Sequence, residues 1–191
     1  ALTLTLAAGA DAQIAPLRQP AEFEPMRGAM IAWPLNVPLD LCAEIAEDDE
    51  LVTLVTDTSA QAAAQAAYAA AGVDLANCTF LISPNESHWT RDYGPWYAFA
   101  SGQPRIQDFL YEWPASPGDN STPALYAAHL GLPVDFMPIK TAGGNYMTDG
   151  LGAGFMFKSV LSNNPHLDVA GIAAEFQAHL GIEDTHVLAD P

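Results

Sequence analysis

Ala69-Ala-Ala-Gly72, Ala128-His-Leu-Gly131 and Ala178-His-Leu-Gly181 are three versions of one helix ending. Each places a glycine directly after an apolar, alanine-containing helical run, and glycine stops a helix because it alone enters the left-handed region without strain. A short apolar strand follows each time: Cys78–Ser83, Val134–Pro138 and Thr185–Leu188. After the first two strands comes a polar loop, and then paired apolar segments of hairpin type, Trp96–Phe99 with Ile106–Leu110 and Tyr146–Met147 with Gly154–Phe157. Upstream, Gly28–Trp33 reads as a strand, Leu39–Glu47 contains a short helix, and Leu51–Val55 is a second strand. Thr58 or Ser59 is the expected cap of the helix Ala60–Ala71.

A unit of strands and one helix recurring at roughly 50–60 residues is a supersecondary repeat, and such units stack to bury a core. The helix inside each unit excludes an all-β propeller. It predicts α/β blades arranged around an axis, or an α/β solenoid. Either way, loops leaving equivalent strand ends converge on one face, where sites are built. Residues 1–22, rich in alanine and proline, read as an extended arm before a domain covering 23–191.

Half of the 191 residues are hydrophobic and 15% are charged, a globular composition. The 23 acidic and 6 basic residues give a net charge of −17, with no basic stripe to neutralise phosphates. Nucleic acid and anionic membrane are therefore excluded as partners, and a cationic ligand is favoured. No apolar run reaches the length of a membrane span. Cys42 and Cys78 form one bridge or remain two thiols. Asn77, Asn85 and Asn120 each head an Asn-x-Ser/Thr sequon and are candidate glycosylation sites. With the acidic balance and the initial Ala1, they lead us to expect a secreted protein.

Two loops carry chemistry. The first, Pro84-Asn-Glu-Ser-His-Trp-Thr-Arg-Asp-Tyr-Gly-Pro-Trp96, sets aromatic rings beside a carboxylate. Asp92 is the candidate partner for a planar cation, and Trp89 is the candidate wall for its alkyl stem. The competing reading has Asp92 paired with Arg91 or capping local amides, with Trp89 and Trp96 in the core. The second loop, Thr141-Ala-Gly-Gly-Asn-Tyr-Met-Thr-Asp-Gly150, has no phosphate-loop spacing. Gly143, Gly144 and Asn145 read as a close-approach segment at the floor of the site, and Asp149 as turn chemistry. His129 and His179 sit where a helix end favours an imidazole, and His88 has no evident partner.

Pro20-Ala-Glu-Phe-Glu-Pro-Met-Arg-Gly28, Ile31-Ala-Trp-Pro34, Trp89-Thr-Arg-Asp-Tyr-Gly-Pro-Trp96 and Gly143-Gly-Asn-Tyr-Met-Thr-Asp-Gly150, in that order, resemble the porphyromonas-type peptidylarginine deiminases. They resemble the agmatine deiminases less closely. The resemblance implies the pentein fold, an α/β propeller of five blades about a pseudo-fivefold axis, with only the first blades in this chain. It implies hydrolysis of a guanidinium to a ureido group with loss of ammonia, through a covalent thiouronium on a cysteine, without metal or cofactor. Asp92 matches the first of the two aspartates that hold the guanidinium, and Trp89 matches the aromatic residue along the substrate stem. The His-x-Asp pair and the nucleophilic cysteine of that family have no counterpart here. A C-terminal portion or partner chain is expected to supply them, and a non-catalytic guanidinium-binding fragment is the contrasting possibility. Trp113-Pro-Ala-Ser-Pro117 carries none of the arginines that clamp a terminal carboxylate in the bacterial peptide deiminases. Arginine inside a peptide is therefore the expected substrate, tilted that way also by Tyr93-Gly-Pro-Trp96, with agmatine the alternative.

Overall fold

The computed structural model describes residues 17–113 and 116–189. Three units follow one another, each built on a three-stranded sheet. The first comprises β1 (Gly28–Ala32), α1 (Leu39–Asp48), β2 (Glu50–Val55), α2 (Thr58–Ala71) and β3 (Cys78–Ile82), and its strands are all parallel. The second comprises α3 (Thr90–Tyr93), β4 (Trp96–Ala100), β5 (Gln103–Tyr111), α4 (Pro117–Asn120), α5 (Thr122–Leu130) and β6 (Val134–Thr141). The third comprises β7 (Tyr146–Thr148), β8 (Ala153–Phe157), α6 (Ser159–Asn163), α7 (Val169–Leu180) and β9 (Asp184–Leu188). In both later units an antiparallel hairpin is extended by a parallel strand after the helix. The repeat legible in the helix endings is thus the blade of the fold.

Gly72, Gly131 and Gly181 terminate α2, α5 and α7 with φ of 79°, 66° and 73°. The apolar residue after each glycine turns its N–H back to the last helical turn: Val73 to Tyr68 O, Leu132 to Ala127 O, Ile182 to Phe176 O. This reversal drops Val73 and Ile182 into the core beside the helix that they end. The start of α2 differs from the sequence reading. Asp57 is its cap, accepting from Ala60 N at 2.8 Å, while Thr58 and Ser59 lie inside the helix. The strand β6 also runs past Pro138 to Thr141. Proline lacks the ladder N–H, but β6 is an edge strand, and its register with β5 jumps between Phe109 and Leu110.

The largest apolar cluster joins the second and third units through Trp96, Phe109, Met137, Tyr146, Ile172 and Phe176. Trp96 stacks on Tyr146 with centroids 4.8 Å apart. In the first unit, Tyr68 packs with Cys42, Ala46 and Leu51, and its hydroxyl meets Thr53 Oγ1 at 2.9 Å. Cys42 and Cys78 are both free thiols. Among the described residues no helix is long and apolar enough to cross a membrane.

Of the expected arm, residues 1–16 lie outside the described residues, and Leu17–Glu22 runs across the later units as a strap. Arg18 exchanges both backbone hydrogen bonds with Phe99, at 3.0 and 2.7 Å. Its guanidinium holds Glu24 and reaches Gly150 O at 3.2 Å. Gly181 has no room for a side chain, because a Cβ would stand 1.9 Å from Leu17 O.

The Arg18 hydrogen bond, and then the Ala21 N–H, lower the Glu24 carboxyl to about 2. A depressed carboxylate contributes its stabilisation above its ordinary value of about 4.3 and loses it as pH falls towards the folded value. The Arg18 and Phe99 amide resonances are therefore expected to shift together between about pH 4.5 and 2. Glu24→Gln should produce the same change at neutral pH. Resonances unmoved in both experiments would contradict this pinning of the strap.

Candidate functional site

The loops leaving the carboxyl ends of β3 and β6 meet, Gly143 and Gly144 of the second lying against Arg91 and Asp92 of the first. The loop after β3 folds into α3, a single turn. Thr90 Oγ1 ties it to Met30 O at 3.0 Å, and buried Tyr93 donates its hydroxyl to Ser87 O at 2.8 Å. Asp119, wholly buried, fixes the approach to this turn by accepting from the N–H groups of Glu86 and Ser87 and from the Ser87 hydroxyl. Nothing in the sequence singled out Asp119, whose partners lie more than 30 residues away.

The loop after β6 brings Gly143–Asn145 against α3. Gly144 N donates to Asp92 Oδ1 at 3.0 Å. Among the described residues Asp92 Oδ2 has no hydrogen-bond partner. The two glycines are required by proximity: a Cβ on Gly143 would lie 2.1 Å from Arg91 O, and one on Gly144 would lie 2.4 Å from Asp92 Oδ1. Asn145 secures the same loop to the end of β8, accepting from Phe157 N and donating to Ser159 Oγ. The segment read as a site floor is therefore the support of the Asp92 carboxylate. Asp149 holds the β7–β8 turn by accepting from Leu151 N and Ala153 N, which keep its carboxyl below the usual range.

Asp92 is not paired with Arg91, whose guanidinium goes to Glu22 and to Tyr146 O. Trp89 is 55% exposed, with the His88 ring against it at 4.7 Å. Tyr93 and Trp96, the aromatic residues of the segment that tilted the substrate reading towards peptides, are 1% and 9% exposed and belong to the core, as the competing reading had it for Trp96. The Tyr111 phenol is pushed up to about 12, by burial first and then by the charges of Asp92, Asp119 and Glu112. That acidic field suits a cation. A cavity of about 90 Å³ lies behind α3, between Arg91, Trp96, Gly143 and the strap, and neither Asp92 nor Trp89 lines it.

The remaining candidates lie elsewhere. Cys78 begins β3, at the strand end opposite the site loop, and packs against the cluster holding Cys42. Burial pushes both thiols up, the reverse of an activated nucleophile. The Asn77 amide donates to Ala46 O at 2.9 Å, and the Asn85 side chain is largely buried. Asn120 Oδ1 accepts from Tyr111 N. His129 and His179 occupy last helical turns, and His179 also contacts Asp135 at 2.9 Å.

The succession of three α/β units is the fold of the pentein deiminases. The chain belongs to the porphyromonas-type peptidyl-arginine deiminase family, whose family model matches residues 18–191. Its fold is similar to the agmatine deiminase of Enterococcus faecalis, with a TM-score of 0.77 and 18% identity over 91% of this chain and 53% of that one. The agmatine deiminase of C. jejuni gives 0.71 and 15%, over 91% and 55%. A Porphyromonas gingivalis chain described as an arginine deiminase gives 0.74 and 19%, over 91% and 57%. The chain thus spans just over half the length of these structures.

Gly144→Ala and Gly143→Ala separate site from scaffold. At Gly144 the clash is with the end of a side chain, so thermal stability should change little while guanidinium binding, read by NMR titration, weakens at least tenfold. At Gly143 the clash is with backbone, and such overpacking costs about 1–3 kcal/mol or more. A Gly144→Ala protein that binds as the parent does would contradict the contact.

Proposed function

We propose that the complete protein is a protein-arginine deiminase, converting peptidyl arginine and water to peptidyl citrulline and ammonia. The observation that carries this is the Asp92 carboxylate, with Oδ1 held by Gly144 N–H and Oδ2 without a partner among the described residues, three residues after exposed Trp89. A guanidinium presents two parallel N–H groups that fit a carboxylate side-on. Oδ1 retains a lone pair after accepting from Gly144, so both oxygens can engage. Trp89 offers a flat apolar face to the methylene stem. The net charge of −17 favours the approach of the cation.

Conversion needs a thiolate to attack the guanidinium carbon, expel ammonia and leave a thiouronium that water resolves. Cys42 and Cys78 are unsuited to that step, since burial pushes both thiols up and Cys78 begins β3, at the strand end opposite the loop. We infer that the nucleophile, the proton-handling histidine and a second aspartate belong to a further portion of the protein, in the same polypeptide or a second one. The 53–57% coverage of the structural relatives supports this. The role of Asp92 is to orient the carbon and to offset desolvation of the cation.

The family match and the absence of a cation in Trp113–Pro117 support arginine within a peptide as substrate. The fold's likeness to agmatine deiminases supports a free guanidine as the second reading. On the complete protein, ammonia release from an internal-arginine peptide should exceed that from its C-terminal-arginine counterpart and from agmatine. Asp92→Asn removes the charge and turns an acceptor towards N–H donors. Losing a charged partner in a closed site costs about 3–5 kcal/mol, so activity should fall by about two to four orders of magnitude with the circular dichroism spectrum retained. Activity confined to agmatine would replace the peptide reading with the second one. A change below about threefold in Asp92→Asn would remove Asp92 from the site.

A further inference from the structure

We propose that Glu22 on the strap is a positioning residue that keeps the guanidinium of Arg91 away from Asp92, so that the carboxylate stays open to the guanidinium of a substrate. The proposal rests on the reading of Asp92 as the guanidinium-binding group. Arg91 directly precedes Asp92 in the one-turn α3, and its side chain carries the same planar, fork-shaped cation as the proposed substrate. A free arginine beside an open carboxylate in an acidic field is an internal competitor.

The structure shows how that competitor is diverted. Arg91 Nη2 donates to Glu22 Oε1 and, at 3.2 Å, to Tyr146 O. Glu22 reaches it from a strap fixed on either side. Upstream, Arg18 pairs with Phe99, and Gln19 Oε1 accepts from the Tyr146 hydroxyl at 2.7 Å; downstream, Glu24 is gripped by Arg18. Tyr146 is thus held to the strap at its hydroxyl and to Arg91 at its carbonyl. Carboxylate and guanidinium are each about half exposed, so the pair adds little to folding. Its consequence is where the guanidinium points.

The distinguishing signature lies in KM. In the complete protein, Glu22→Gln releases Arg91 to compete for Asp92, raising KM for the guanidine substrate about three- to fivefold with kcat and melting temperature little changed. Adding Arg91→Gln removes the competitor and should return KM towards the parent value, whereas a mere brace would not be mended by losing its second half. Ethylguanidine titrations, followed at the Trp89 indole N–H resonance, should give the same order without turnover: weaker in Glu22→Gln, restored in the double variant. Unchanged binding in Glu22→Gln, or a defect that the double variant does not relieve, would overturn the assignment. That binding pattern in a protein that releases no ammonia from any guanidine would instead sink the deiminase reading and leave the role of Glu22 standing.

Discussion

A hydrogen bond from Gly144 N to Asp92 Oδ1 at 3.0 Å ties two loops together at the place where chemistry is expected. It joins the loop after β3 to the loop after β6. Much of the surrounding structure serves to make it possible. Gly143 and Gly144 are bare so that the chains can approach, Asn145 holds one loop to β8, and Asp119 and Thr90 hold the other. Behind the contact, Trp96 and Tyr146 stack at the seam between the second and third units. A backbone donor leaves no side-chain rotamer to fluctuate, so the carboxylate is set before a ligand arrives.

The blade repeat was legible because its punctuation is local. A glycine after an apolar turn announces a left-handed helix end wherever it stands, and Gly72, Gly131 and Gly181 all adopt one. Strand ends were less legible where tertiary structure overrides local rules, as at Pro138, which an edge strand with a register shift can carry. Asp92, Trp89 and the Gly143–Asn145 loop could be picked out because aromatic, acidic and glycine-rich segments stand apart in an alanine-rich chain. Which aromatic rings face solvent could not be read: Trp89 precedes the turn α3 and is exposed, whereas Trp96, seven residues on, begins β4 and packs in the core. The supporting residues Asp119, Arg91 and Glu22 act across 30 to 70 residues of sequence, a range at which spacing carries no signal.

The charge pattern and the site share one logic. With 23 acidic side chains and only 6 basic ones, arginine and lysine are scarce, and those near the site are occupied. Arg18 is bound to Glu24 and Arg91 to Glu22. On the proposed reading, in which Asp92 receives a substrate guanidinium, these pairs keep the protein's own guanidinium groups from answering first. The sequons fit the same structural economy: Asn77 and Asn120 serve the backbone of neighbouring segments, while Asn85 is enclosed.

The central claim is that Asp92 receives a planar cation while remaining anchored to Gly144. The most direct measurement is a crystal structure of the complete protein with a bound arginine peptide, taken on a variant whose nucleophile is disabled. Guanidinium nitrogens about 2.8 Å from Asp92 Oδ2, the stem along Trp89 and the Gly144 contact intact would be the predicted result. A guanidinium bound elsewhere, as at the acidic surface of Asp48–Glu50, with Asp92 turned to Arg91, would contradict it.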